Sequence, residues 1–249
     1  MANDFKGTSP QLYARSGGVL YLVIIVAGIL GELLVRGTLV VSGDPTATAS
    51  NILGSQLLWR IGIAGDLLMH VCDLPLMLIL YVLLRPVNKD LALLAVLFNL
   101  IQTAVLVANK MNLLMPLFLL GDADYLKALD PNQLHAQAYL SIKLHGYVFN
   151  VGLIFFGFAC LLYGHLISRS GYLPKFLGVL IQIAGLAYLT NSFALLISPT
   201  FEAMIFPGIL IPALIAELTL GLWLIVRGVN VQKWRARMEQ VAVAPAAAA

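Results

Sequence analysis

Three side chains in one apolar stretch carry the chemistry this sequence offers: Asp66, His70 and Asp73, within WRIGIAGDLLMHVCDLPLMLILYVLLRP at residues 59–86. Their spacing of i, i+4, i+7 places them on one face of a helix. Two carboxylates and an imidazole so arranged can move a proton, supply two or three ligands to a metal ion, or hydrogen-bond to a base on a neighbouring helix. The stretch is long and apolar enough to cross a bilayer. An ionised group at the centre of a membrane helix costs roughly 2.5–3.5 kcal/mol on insertion scales. This face is therefore expected to look at protein or water, and other helices must satisfy it.

The remaining charges inside apolar stretches are Arg60 beside these acids, Glu32 and Arg36 in the first stretch, Lys110 in the third, Lys143 in the fourth and Glu217 in the last. Counting about 1.5 Å of rise per residue puts Asp66, Asp73 and Glu217 deep. Arg36, Arg60, Lys110, Lys143 and Glu32 form a shallower tier in the outer third. Equal numbers of acids and bases favour an internal ion-pair network. Glu32 and Arg36 are i, i+4 and can pair with each other, and Arg36 and Arg60 can equally snorkel to the interface. Lys143, Tyr147 and Asn150 share one face, with His145 about 200° from Lys143 on another. Gln102 and Asn109 share a face of the third stretch. We expect Lys143, Tyr147 and Asn150 to turn toward the acids. The expected intramembrane polar site is thus Arg60, Asp66, His70, Asp73, Lys110, Lys143, Tyr147, Asn150 and Glu217. A haem between His70 and His145 has no paired-His motif behind it, and the sequence implies no cofactor.

These positions require membrane helices. The chain has 249 residues, 60% hydrophobic and 11% charged, against about 25% charged in soluble domains; its mean hydropathy is +0.91. Six spans of about 20 residues or more can be drawn, at 17–41, 55–84, 91–120, 136–167, 173–197 and 205–229. The fold class is all-α: a polytopic membrane protein built as a six-transmembrane-helix bundle. Residues 1–16 read as an N-terminal tail, 17–230 as the membrane domain and 231–249 as a disordered C-terminal tail. Lys and Arg concentrate before the first span, between spans two and three, between four and five, and after six. That pattern places both termini in the cytoplasm. Asp44-Pro45 and Asp130-Pro131 are helix starts, an N-cap followed by Pro at N1. Pro75, Pro116, Pro207 and Pro212 interrupt spans and free carbonyls. Cys72 and Cys160 read as buried apolar side chains. The small net charge of +3, scattered over loops, implies no nucleic-acid partner.

Several segments carry a resemblance: RSGGVLYLVIIVAGILGELLVRG, GDPTATASNIL, LYVLLRPVN, IFFGFACLLYGHLISRSGYLPKFLGVLIQIAGLAYLTNSF and AELTLGLWLIVRGVN. Together they are similar to a bacterial multi-spanning membrane family, domain of unknown function 4386, from Arg15 to Asn230. The resemblance implies a helical membrane fold of six or a similar number of spans, in a bacterial cytoplasmic membrane. It implies no catalytic residue.

Three function classes stay open. A midplane acid–imidazole cluster below a tier of bases suits binding or transport of a small polar or anionic solute or a lipid headgroup, with His70 able to couple a proton. The same three residues suit an intramembrane enzyme acting on a lipid. A scaffold or partner subunit would use the charges only to fix helix packing. No nucleotide-binding loop, zinc-protease helix or serine-hydrolase elbow is present.

Overall fold

The structure is a computed structural model and describes residues 9–243. Among these residues every regular element is helical. Six helices are long and apolar enough to span a membrane: α1 (Pro10–Leu39), α3 (Gln56–Leu84), α4 (Lys89–Leu119), α5 (Pro131–Ser170), α6 (Lys175–Ile197) and the helix that ends at Val226. The last is α8 (Ile211–Val226), preceded by a single tight turn. Shorter helices are α2 (Pro45–Gly54), α7 (Pro199–Ile205) and α9 (Val231–Val243).

The starts follow capping chemistry. Asp44 accepts from the Ala47 amide and Asp130 from the Asn132 amide, each ahead of a Pro that has no N–H to lose. Gly171, at φ +75°, ends α5 in the left-handed conformation that favours glycine. Three boundaries differ from expectation. The first helix begins at Pro10, not residue 17, because Ser9-Pro10 is itself a helix start. The final span begins at Ile211, since Pro207 and Pro212 break the segment into α7, a turn and α8. The tail expected to be disordered from 231 is helical through Val243, with residues 244–249 outside the described range.

The spans pack as a closed ring in chain order, α1–α3–α4–α5–α6–α8, with α8 returning to α1. Short connections between sequential helices make neighbours antiparallel. Six crossings return the chain to the side from which it began. That side, carrying the starts of α1 and α4 and the ends of α3, α5 and α8, is called here the terminal end; the opposite side is the far end. Small residues set the closest approaches. Gly157 and Gly164 of α5 meet Gly185 and Gly178 of α6 backbone to backbone, and a Cβ on Gly18 of α1 would lie 2.6 Å from the Gly221 carbonyl of α8. At the terminal end Gln11 clasps the ring shut. Its Nε2 donates to the Arg227 carbonyl and its Oε1 accepts from the Val229 amide. Tyr172 Oη and Trp234 Nε1 both donate to the Leu83 carbonyl, which fastens α9 and the α5–α6 turn to α3.

Candidate functional site

Polar side chains inside the ring fall into two groups. The first is an ion cluster toward the far end. Asp66 Oδ2 accepts from Lys110 Nζ and from Arg36 Nη1, each at 2.8 Å. The Asp66 and Lys110 side chains are 1% and 2% exposed. Arg36 also donates to Glu32 Oε2 at 2.6 Å. The backbone from Gly31 to Arg36 is a wide π-type turn in which the Gly37 N–H reaches the Glu32 carbonyl five residues back. Such turns insert an extra residue and re-aim side chains. Here one guanidinium serves a carboxylate on its own helix and another on α3. Gly31 is needed at this point, since a Cβ there would lie 2.7 Å from Asp66 Oδ1. An apolar cluster that includes Val35, Leu39, Ile52, Trp59, Ile63 and Leu113 packs in the same far-end part of the bundle. Trp59 Nε1 donates to the Leu113 carbonyl.

The second group lines a central cavity of about 110 Å³, to which all six spans contribute. His70 and Asp73 enter from α3, Asn99 and Gln102 from α4, Tyr163 from α5 and Glu217 from α8. Asp73 accepts from Thr103 Oγ1 at 2.9 Å, and Glu217 accepts from Tyr188 Oη at 2.7 Å. His70 Nδ1 stands 3.9 Å from Asp73 Oδ2, beyond hydrogen-bond length. Both His70 ring nitrogens and the Tyr163 hydroxyl are buried with no protein hydrogen-bond partner. Among the described residues no Lys or Arg lines the cavity, and most of its wall is aliphatic or aromatic.

The family model described as Domain of unknown function (DUF4386) matches residues 17–228. The chain belongs to this family. It is also 28% identical over 166 residues to an "Uncharacterized protein" of Archaeoglobus fulgidus, a match covering 67% of this chain and 83% of the relative. No solved structure matches it.

In this DUF4386 chain the expected site residues separate into three places. Asp66 and Lys110 form the ion cluster, while His70, Asp73 and Glu217 line the cavity. Lys143, Tyr147 and Asn150 do share a face, but it does not turn to the acids of α3. It lines a groove toward α6 and α7, and Asn150 there accepts from Asn191 and Ser192. The ring order explains the difference. Helix α4 stands between α3 and α5, and the face of α5 that meets α4 is that of His145 and Gly152. Arg60 lies in the second turn of α3, exposed, and joins neither Asp66 nor Lys110. The tier of bases over the acids therefore reduces to Arg36 and Lys110, both committed to Asp66.

That commitment also bears on a metal or haem. Asp66 already holds two cations, and no group of three His, Cys, Asp or Glu among the described residues is placed to bind a metal ion. His145 stacks on Phe149, which lines the cavity, but His145 itself is not among the lining residues that include His70. Sequence reasoning missed Thr103, Tyr163 and Tyr188. Thr103 had a signal, since Asn99, Thr103 and Lys110 run i, i+4, i+11 along α4 as one polar stripe. The two tyrosines had none, as aromatic residues are ordinary in membrane helices.

Proposed function

We propose that this chain is a binding or transport protein. Its central cavity would take a small, mostly apolar molecule carrying one cationic or hydrogen-bond-donating group. The observation behind this reading is the cavity's charge: two carboxyl groups and an unpartnered imidazole, with no Lys or Arg among its described lining residues. Apolar pockets with a few convergent polar groups are the usual form of a small-molecule site. Ionisable residues at membrane depth mark substrate and ion pathways. The anionic solute expected from sequence loses its support, because the bases meant to receive it are spent on Asp66 or lie outside the cavity. The test is thermal unfolding of the full chain in detergent with n-butylammonium or with butyrate. Butylammonium should raise Tm, butyrate should not, and the rise should vanish in Asp73→Asn and Glu217→Gln. Stabilisation by butyrate instead would defeat the reading.

A packing role is favoured for Asp66 by a specific observation: its carboxylate is bound by two cations from two other helices. The two readings therefore divide between the two polar groups of one bundle.

The membrane proposed is a bacterial cytoplasmic membrane, with both termini in the cytoplasm. Arg85, Lys89, Arg169 and Lys175 belong to connections or helix ends at the terminal end, and Lys233, Arg235 and Arg237 to α9, which follows the last span there, in keeping with the positive-inside rule. C-terminal fusions to a green fluorescent protein and to alkaline phosphatase should give fluorescence and no phosphatase activity. The opposite pair of results overturns the orientation.

A further inference from the structure

We infer that the groove beside Lys143 holds the headgroup of a zwitterionic phospholipid, at a site separate from the central cavity. The groove, of about 340 Å³, lies between α5, α6, α7 and the segment after α1. Lys143 and Glu202 both line it, yet neither takes part in any of the ion pairs among the described residues. Opposite charges that share a groove without pairing leave each free for a ligand carrying both signs.

Depth says where such a ligand comes from. A hydrocarbon core takes about 20 helical residues. Counted from the terminal ends of α5 and α6, that length reaches the neighbourhood of Asn150 on α5 and Leu195 on α6. Lys143 lies about two turns beyond Asn150, and Glu202 on α7 lies past the end of α6. Both charges therefore sit in the headgroup layer at the far end, with Tyr147 near the boundary where amphipathic rings belong. Lys143 Nζ stands 5.6 Å from the centre of the Tyr139 ring, which holds the ammonium over the groove. The Tyr139 hydroxyl accepts from the Gly43 amide at 2.7 Å and so fixes the segment after α1 as the groove's rim.

The chemistry selects the headgroup. Lys143 would receive the phosphate and Glu202 the ammonium, as charge-assisted hydrogen bonds. Leu195 and Phe206 in the same lining give the acyl chains an apolar exit toward the bilayer. A lipid with a net negative headgroup would meet Glu202 with like charge.

Native mass spectrometry of the full chain tests this, with phosphatidylethanolamine and phosphatidylglycerol of identical acyl chains. One phosphatidylethanolamine should remain per chain at concentrations where phosphatidylglycerol is lost. Lys143→Gln and Glu202→Gln should each weaken retention roughly tenfold, the loss of one charge-assisted bond. Lys89→Gln, at the opposite end, should leave it unchanged. Neither Lys143 nor Glu202 is buried, so their variants should unfold at the wild-type temperature. Equal retention of phosphatidylglycerol, or no effect of either variant, overturns the proposal. Competition by soluble phosphoethanolamine as strong as by the lipid would assign the groove to a dissolved solute and overturn it too.

Discussion

Lys110 Nζ and Asp66 Oδ2 meet at 2.8 Å in the bundle interior, and Arg36 completes the junction from a third helix. One carboxylate thereby ties α1, α3 and α4 together. Removing one member of a buried pair leaves an uncompensated charge, at a cost of about 3–5 kcal/mol. Asp66→Asn strips the shared anion from two cations, whereas Lys110→Met leaves Asp66 its bond to Arg36. Thermal unfolding in detergent should therefore rank Asp66→Asn as the more damaging of the two. The double variant Lys110→Met/Asp66→Asn should recover part of the loss.

Glycine at position 31 is a steric condition of that junction. A Cβ there would approach Asp66 Oδ1 to 2.7 Å and Arg36 Nη2 to 3.3 Å. Overpacking of this kind costs about 1–3 kcal/mol, and Gly31→Ala should lower Tm accordingly. Gly65→Ala is the control. Nothing lies within 4 Å of a Cβ at Gly65, so the same change there should be neutral or slightly stabilising.

His70 should show the opposite balance between stability and binding. Both ring nitrogens are buried without a protein partner, and replacing an unsatisfied buried polar group with an apolar one is nearly neutral or stabilising. His70→Leu should keep or raise Tm while abolishing the Tm rise produced by butylammonium. A fall in Tm with ligand response intact would show the ring to be structural.

Tyr172 lies in the α5–α6 turn, outside the spans, and is 4% exposed. Burial raises its phenol above the ordinary range. A raised folded-state value favours the neutral form. Its contribution is therefore complete below the unfolded value near 10, and is lost as pH rises through the folded value. Tyr172→Phe removes the hydrogen bond to the Leu83 carbonyl, costs about 1 kcal/mol, and should flatten the alkaline fall in stability measured between about pH 9 and 11.

Trp234 shares that carbonyl as a second donor. Trp234→Ala should free α9 from α3, seen as faster amide exchange over Val231–Val243 with the six spans unaffected.

The bundle was readable in the sequence where the physics is local. Apolar length gave six spans, and Asp44-Pro45 and Asp130-Pro131 gave helix starts through capping chemistry. Ser9-Pro10 is the same kind of pairing, but it stands in a polar stretch between Lys6 and Arg15 that reads as tail. The apolar edge of α9, Val231, Trp234 and Met238, has helical spacing but stands next to a low-complexity run that reads as tail. Periodicity also showed that Lys143, Tyr147 and Asn150 share a face. It could not say which neighbour that face meets, because neighbour order is a property of the assembled ring. Asp66 shows the same boundary. Its need for a partner followed from burial alone. The choice of Arg36 depended on a π-type turn that no local pattern announces.

The contact between α1 and α8 has a consequence for biosynthesis. The helix that closes the cavity is the last of the six to leave the ribosome, and it must find the first. Until then α1 and α6 border an open seam, and Glu217 has not yet been delivered. Chains stopped before Ile211 would hold every residue of the ion junction but lack the wall that Glu217 and Leu220 give the chamber.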